Sequence, residues 1–157
     1  MREQGPAQGP DFGTLLRGAR RTAVRLETRD RHRTAAEPEP ALPLLRETVA
    51  RGVLVRRVRI VAEPVTAQIR REHHRMPERI TAGEQVRWLP RSRARAVALP
   101  GEDFWLIDSR LVLFHWCAAE DPWAGHRFTG DGTAVRRCTA AFEAAWALAT
   151  PHAEYRV

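Results

Sequence analysis

The chain contains no lysine: all 26 of its basic residues are arginine, and its formal net charge is +7. The absence of lysine excludes the standard phosphate-binding loop, whose lysine contacts the phosphates of a bound nucleotide. An excess of arginine is one feature of proteins that bind polyanions. Codon bias in a GC-rich genome predicts the same composition, because arginine then replaces lysine as the solubilising residue. Charge alone therefore leaves a nucleic-acid partner open.

The residue types that most often carry catalysis are scarce. Cys117 and Cys138 are the two cysteines, and their spacing is typical of neither a zinc site nor a disulfide framework, so we expect buried free thiols. Neither Ser92 nor Ser109 lies in a nucleophile motif, and no histidine belongs to an HExxH sequence. We expect His115, in an apolar stretch, to be a hydrogen-bonded core residue. The sequence predicts no metal site, no cofactor and no catalytic residue, and we expect the protein not to be an enzyme.

Long apolar segments are also absent. No apolar run approaches the ~20 residues of a membrane-spanning helix, and the first residues lack the apolar segment of a signal peptide. We therefore expect a cytoplasmic protein without a membrane partner. The length of 157 residues and the hydrophobic content of 43% suffice for one folded core. We predict a flexible tail at residues 1–10 and a single α/β domain at residues 11–155.

The stretch from Asp103 to Trp116 organises the predicted fold. Two apolar runs, at 104–107 and 111–114, are separated by the polar residues 108–110. Short apolar runs bounded by a turn are typical of strands that are covered on both faces. The stretch therefore predicts a central β-hairpin.

The rest of the chain alternates between helical and strand patterns. We predict, in order, a helix capped by Asp11, a strand at 22–29 (a continuing helix fits the same pattern), a surface loop at 30–43, a helix at 44–51 closed by Gly52, a strand at 53–61, a helix from Pro64 to Arg75 ended by Pro77, a helix end and turn at 80–84, a strand at 85–89, a basic loop at 91–95, a polar loop at 118–132, a helix at 133–149 and a C-terminal tail. A strand, a helix and a further strand in succession form a βαβ-like unit. The whole order predicts a mixed β-sheet with flanking helices.

The arginines on the predicted strands suggest a binding edge. Arg56, Arg57 and Arg59 lie on one strand, and Arg87 lies on the next, just before the basic loop. If these strands are neighbours, their ends form an edge that receives anions; a solvated face balanced by glutamates is the alternative. Trp88 and Trp105 could stack on bases or belong to the core. The candidate residues for binding a ligand or partner are Arg59, Glu63, Arg87, Arg91, Asp103, Trp105 and Asp108.

Several stretches together resemble a known family. They are Leu26–Asp30, Val58–Pro64, Gly83–Arg91, Asp103–Asp108 and Ala144–Ala147 followed by Thr150–Pro151. In their order and spacing they resemble the domain-of-unknown-function 6879 family, small proteins typical of actinomycetes. The resemblance implies association with small helix-turn-helix regulators and implies no activity.

A second resemblance concerns the fold. The segment 52–61, the segment 83–90 and the strand ending at Asp108 are together similar to one half of a phospholipase-D-like protein. That family's motif is H-x-K-x4-D, in which the histidine is the nucleophile and the lysine binds phosphate. When its aspartate is aligned with Asp108, Gly101 and Asp103 stand in place of the histidine and the lysine. The resemblance therefore implies a relative that lacks phosphodiester chemistry by this mechanism.

Two functions follow as hypotheses. The first is a non-enzymatic regulatory or interaction domain that binds a partner protein, such as a helix-turn-helix regulator, or a small ligand. The second is an arginine-rich nucleic-acid-binding module associated with transcriptional regulation. Affinity that falls steeply with salt distinguishes the second from the first. An unrecognised hydrolase is a third hypothesis, for which the sequence offers no assembled site.

Overall fold

The protein forms a layered α/β structure, seen here in a computed structural model that describes residues 11–28, 39–117 and 124–157. Its strands are β1 (Thr22–Glu27), β2 (Leu54–Val61), β3 (Gln85–Pro90), β4 (Asp103–Ile107), β5 (Leu111–Cys117), β6 (Ala124–Thr129) and β7 (Thr150–Pro151). Its helices are α1 (Phe12–Gly18), α2 (Leu42–Ala50), α3 (Ala67–Thr81), α4 (Arg91–Ala94) and α5 (Gly132–Leu148), and a short 3₁₀ turn covers His152–Glu154. The predicted tail at 1–10 and most of the predicted loop at 30–43 lie outside the described residues.

All seven described strands belong to one mixed sheet in the order β6-β5-β4-β1-β2-β3-β7. Strand β2 is parallel to both of its neighbours, β1 and β3. The pairs β1-β4, β4-β5, β5-β6 and β3-β7 are antiparallel. The predicted βαβ unit is thus β2-α3-β3. The predicted hairpin is β4-β5, which lies between β1 and β6, and its turn holds Asp108 and Ser109 at φ +52° and +53°. The mixed sheet with flanking helices that the sequence predicts is confirmed.

Each face of the sheet is covered by different helices. In β1, Val24 and Leu26 point to α5, whereas Ala23, Arg25 and Glu27 point to the opposite face. We call these the α5 face and the α2–α3 face. The α5 face packs Val58, Ile60, Phe104, Phe114, Cys138 and Phe142 together. The α2–α3 face has two apolar clusters, one around Leu16, Leu45, Trp105 and Leu113 and one around Ile69, Met76, Trp88 and Tyr155.

Helix α3 differs from its prediction at both ends. It begins at Ala67, and not at Pro64, because the Thr66 side chain accepts a hydrogen bond from the Ile69 amide and caps it. It also continues past Pro77 to Thr81. Proline removes one helical hydrogen bond, but Arg79 anchors the last turn by donating to the carbonyl of Pro40 at 2.9 Å.

Four other predictions about local structure were wrong. Strand β6 lies inside the predicted polar loop 118–132, and the loop predicted at 91–95 contains the one-turn helix α4. Pro43, predicted in a loop, lies in the first turn of α2. The predicted C-terminal tail packs against the sheet, because Tyr155 is buried and stacks on Trp88 at a centroid distance of 5.6 Å.

Within the described ranges, no helix has the length and apolar character needed to cross a membrane.

Candidate functional site

The seven candidate residues from the sequence do not form one site. Arg59, Asp103 and Trp105 lie on the α2–α3 face, whereas Arg87 lies on the α5 face. Asp103 and Asp108 lie at opposite ends of the β4 segment, which separates them by about 17 Å of strand. A single ligand contacting all seven residues is therefore incompatible with the fold.

Asp108 stabilises the beginning of β1. Its carboxylate accepts hydrogen bonds from the backbone amides of Arg20, Arg21 and Thr22, at 3.0, 2.7 and 3.0 Å. Partial burial alone would raise the pKa of Asp108, but these amide bonds outweigh burial and the pKa lies below its usual value. The carboxylate thus has a structural role at the edge of the sheet where β1 starts.

Most of the remaining candidates also have partners inside the protein. Asp103 accepts hydrogen bonds from the amide and the hydroxyl of Thr28, at 3.0 and 2.7 Å, and Arg91 donates to the Thr28 carbonyl. Arg59 is buried and pairs with Glu72 through Nε and Oε2 at 3.0 Å. Trp105 is fully buried, so it is a core residue and has no ring face available to a base. 

Glu63 is exposed and accepts a hydrogen bond from the Tyr155 hydroxyl at 3.3 Å. It is one of two acidic candidates that lie near the surface, the other being Asp108. No second candidate from the sequence is in hydrogen-bond contact with Glu63 among the described residues. Its contact ties the C-terminal segment to the end of β2.

The arginines of β2 and β3 alternate between the two faces and form no common edge. Arg56 pairs with Glu143 at 2.7 Å and lies over the Phe142 ring, on the α5 face. Arg87 donates to the Trp146 carbonyl at 2.9 Å on the same face. Arg57 points to the α2–α3 face and is fully buried. The arginines of these strands therefore do not line one edge. Glutamates balance two of them, because Arg57 pairs with Glu84 and Arg59 with Glu72, but these pairs lie inside the fold and not on a solvated face.

A buried ionic cluster around Arg57 was missed in the sequence. Arg57 bonds Glu84 through Nε at 2.5 Å, Glu39 through Nη2 at 2.6 Å, and Glu27 through Nη1. Burial alone would lower the pKa of Arg57, but the three carboxylates raise it well above its usual value. Burial raises the pKa of Glu84, against the opposing effect of Arg57. The sequence did contain one signal for this cluster. Arg57 and Arg59 alternate with the apolar residues Val58 and Ile60, and alternate residues of a strand point to the same face of the sheet.

Arg25 lies beside this cluster and has a different environment. It is almost fully buried, its Nε and Nη1 make no hydrogen bond among the described residues, and its nearest carboxylate oxygen is on Glu27 at 3.9 Å. Burial lowers the pKa of Arg25 despite that carboxylate. The guanidinium lies 5.8 Å from the centroid of the Trp105 ring.

The predicted core role of His115 is confirmed, since it is buried and its Nδ1 is 3.1 Å from Nδ1 of His126.

The outer side of α3 carries a group of exposed basic side chains. Arg70, Arg71, His74 and Arg75 are all exposed and define what we call the α3 basic surface. Within the described residues, none of the three arginines makes an ion pair. The nearby Glu72 does not neutralise them, because it turns inward to Arg59.

The geometry of a helix explains why these side chains meet. Residues three or four apart recur on one side of an α-helix, as Arg70 and His74 do and as Arg71 and Arg75 do, and Ile69 and Met76 occupy the buried side of α3. Arg70, Arg71, His74 and Arg75 line a shallow groove together with Ala67 and Val157. Such a surface can contact phosphate groups through the planar guanidinium forks. A group of three or more metal-binding side chains was found nowhere in the described part of the chain.

These observations define a single mixed-sheet α/β protein with an internal ionic core and an exposed basic helix. The chain belongs to the family described as "Domain of unknown function (DUF6879)", whose profile matches residues 37–157. The family predicted from the sequence is thereby confirmed. The actinomycete origin, the helix-turn-helix association and the phospholipase-D-like resemblance remain predictions.

One solved structure shares the fold across most of this chain. It is that of TrmBL2, described as an archaeal chromatin protein that shows a novel mode of DNA binding. The match has a TM-score of 0.57 and 13% sequence identity, and it covers 88% of this chain and 48% of that chain. The chain thus spans about half the length of that protein, and at this identity the likeness shows the fold alone. No curated protein matches the chain in sequence.

Proposed function

We propose that this chain is a non-enzymatic regulatory domain that binds the phosphate backbone of double-stranded DNA through the α3 basic surface. The observation that carries the proposal is the presence of three exposed arginines, without ion-pair partners among the described residues, on one side of a 15-residue helix. The second hypothesis from the sequence is retained, but its location moves from the strands and the basic loop to α3.

The spacing of these charges suits DNA. Arg70 and Arg75 are separated by five helical steps of ~1.5 Å, or about 7.5 Å along the helix axis. Double-stranded DNA carries one negative charge per ~1.7 Å of its axis, so about four phosphate charges lie along that distance. Three guanidinium groups on one face can therefore contact neighbouring phosphates without a change in the backbone of the helix.

The proposed contacts provide affinity for DNA and little recognition of its base sequence. Contacts to phosphate position a protein on the duplex but carry no sequence information directly. We expect binding of similar strength to unrelated duplexes and an affinity that declines steeply with salt. The DNA-binding description of TrmBL2 is a second, weaker support, because the two proteins share a fold and little sequence.

The test compares three double variants that each remove two positive charges. Arg71→Gln/Arg75→Gln alters the α3 basic surface, Arg93→Gln/Arg95→Gln alters the exposed segment at α4, and Arg46→Gln/Arg136→Gln changes exposed arginines of α2 and α5. Fluorescence anisotropy with a labelled duplex is measured across a series of salt concentrations. Thermal melting of each variant verifies that it is folded.

The α3 variant should bind more weakly, and its plot of log affinity against log salt should be shallower by about 1.8, or ~0.9 for each lost phosphate contact. The other two variants should keep the slope of the unaltered protein. Equal loss in all three variants would show a diffuse effect of net charge and contradict a defined surface. Binding to one protein partner that persists at moderate salt, without DNA binding, would support the interaction-domain hypothesis instead.

A further inference from the structure

A cavity of the described part of the protein lies on the α5 face, away from α3. It has a volume of about 730 Å³, within the range of ~300–1,000 Å³ that is typical of small-molecule sites. The segment before β4, the strands β5 and β6, and the first turns of α5 line it. The lining residues that matter here are Leu99, Glu102, Phe114, Arg127, Ala134 and Cys138.

The inner wall of this cavity is apolar. Phe114 and Cys138 are buried and belong to the core of the α5 face, and Leu99 and Ala134 pack against that core. Burial raises the pKa of the Cys138 thiol to about 11, so at neutral pH it is a protonated, uncharged group. Its role in the wall is therefore that of a small apolar residue. A ligand body without charge fits this side of the cavity.

One polar atom of the lining lacks a partner. Glu102 Oε2 is buried and accepts no hydrogen bond from any described residue. The other carboxylate oxygen, Oε1, lies 3.6 Å from Nη2 of Arg127, and the Arg127 guanidinium lies 4.7 Å from the Phe114 ring centroid. A buried carboxylate oxygen without a donor is costly, and a bound donor group removes that cost.

We propose that this cavity binds a small amphipathic molecule whose apolar body lies against Phe114, Leu99 and Cys138 and whose ammonium or hydroxyl group donates to Glu102. The carboxylate favours an ammonium group over a hydroxyl group, because a hydrogen bond between two charged groups is stronger. Arg127 lies beside the other oxygen of the carboxylate, with Nη2 3.6 Å from Oε1.

Three probes with the same phenyl body and different ends test the chemistry: phenethylamine, 2-phenylethanol and phenylacetate. Each is titrated into the full chain, and binding is measured by ligand-observed saturation-transfer NMR and by shifts of protein methyl signals. We expect phenethylamine to bind best, 2-phenylethanol to bind more weakly and phenylacetate to bind weakest. Stronger binding of phenylacetate would assign recognition to the arginines and overturn the role of Glu102.

Two variants complete the test. Glu102→Gln keeps a carbonyl acceptor but loses the charge, so the affinity for phenethylamine should fall about tenfold while that for 2-phenylethanol changes little. Ala134→Phe places a ring in the cavity and should abolish binding of every probe. Its melting temperature, equal to or above that of the unaltered protein, verifies that the chain is folded and the cavity is filled.

The absence of binding by all three probes, or binding that Ala134→Phe leaves unchanged, would overturn the proposal. Either outcome leaves the DNA-binding proposal standing, because none of the residues of the α3 basic surface lines this cavity. Anisotropy measurements with Ala134→Phe establish that independence directly, since DNA affinity should be the same with and without the ring.

Discussion

Arg57 and Glu84 form an ion pair inside the protein, with Nε and Oε1 2.5 Å apart and neither side chain exposed to solvent. Moving two charges out of water costs free energy that an exposed ion pair does not lose. The attraction between the charges offsets this cost only when the remaining polar atoms of both side chains also make hydrogen bonds. Glu27 and Glu39 supply those partners to the guanidinium. The cluster joins β1 and β2 to the residues just before α2 and β3, and we expect it to act on how these segments fit together more than on total stability.

The first prediction tests this cluster. Arg57→Met retains much of the side-chain volume but removes the Arg57 cation from its hydrogen bonds with the buried Glu27 and Glu84. We expect the free energy of unfolding to fall by about 3–5 kcal/mol, as for other buried pairs that lose one partner. Urea denaturation followed by circular dichroism measures the change.

The neighbouring residue gives a matched control. Arg56→Met removes an arginine from the same strand, but its partner Glu143 is half exposed and lies on the opposite face. The loss of such a pair should cost about 1 kcal/mol or less. Similar losses for the two variants would contradict a special role of the buried cluster.

The hairpin β4-β5 and the β2-α3-β3 unit were predictable because their patterns are local. Apolar runs and β-branched residues between clear breaks indicate strands without any knowledge of their neighbours. Strand β6 was not predictable in that way, since Gly125, His126 and Arg127 interrupt its pattern. It pairs along β5, from Val112↔Thr129 to Cys117↔Ala124, and such pairing between strands overrides weak local preference.

The candidate site was less predictable than the fold. The sequence places arginines on β2 and β3 but does not show which side of the sheet each one faces. A shift of one residue moves a side chain to the other face, and here Arg56 and Arg57 have opposite surroundings. The partners of Arg57 are 18 to 30 residues away in sequence, so no local pattern links them. The exposed arginines of α3 were visible in the sequence, but their lack of ion pairs required the structure.

The second prediction concerns the glycine after α3. Gly83 has φ +111°, and a Cβ atom there would lie 2.5 Å from Cγ1 of Val49 on α2. Gly83→Ala therefore combines backbone strain with a steric clash between α2 and the end of α3. We expect a loss of about 1–3 kcal/mol from the clash, beyond the cost of the backbone conformation itself.

Gly52 separates the two effects. It also has a positive φ, +91°, but a Cβ atom there would meet no other atom within 4 Å. Gly52→Ala should show the strain alone, of order 1 kcal/mol. If thermal and urea denaturation gave the two alanine variants the same stability, the proposed contact between Gly83 and Val49 would be wrong.

The third prediction concerns the hairpin. Ile107 ends β4, is almost fully buried and packs in the cluster around Trp105. Ile107→Asp places an unpaired charge there, which costs several kcal/mol of a typical total of ~5–15 kcal/mol. Leu54→Asp is the control, because Leu54 starts β2 and is 41% exposed. We expect Ile107→Asp to be unfolded and Leu54→Asp to melt cooperatively, and a cooperative transition at unchanged temperature in both would contradict the burial of Ile107.

The fourth prediction concerns pH and Asp108. Its pKa is lower in the folded protein than its usual value of 3.8, since three backbone amides donate to the carboxylate and outweigh partial burial. A carboxyl group with a lowered folded pKa binds its proton more readily in the unfolded chain. Its contribution to stability is therefore present at pH values above about 4 and is lost as the pH falls through the folded pKa.

Asp108→Asn isolates this effect. Asparagine tolerates the left-handed conformation at φ +52°, and its carbonyl oxygen can still accept one amide hydrogen bond, so the turn should be retained. We expect the variant to be less stable than the unaltered protein at neutral pH and the difference to shrink below about pH 4. Urea denaturation at a series of pH values measures it, and Glu47→Gln on the exposed side of α2 controls for the loss of one negative charge. A difference in unfolding free energy that stayed constant from neutral to acidic pH would show that the carboxylate charge makes no contribution through these amides.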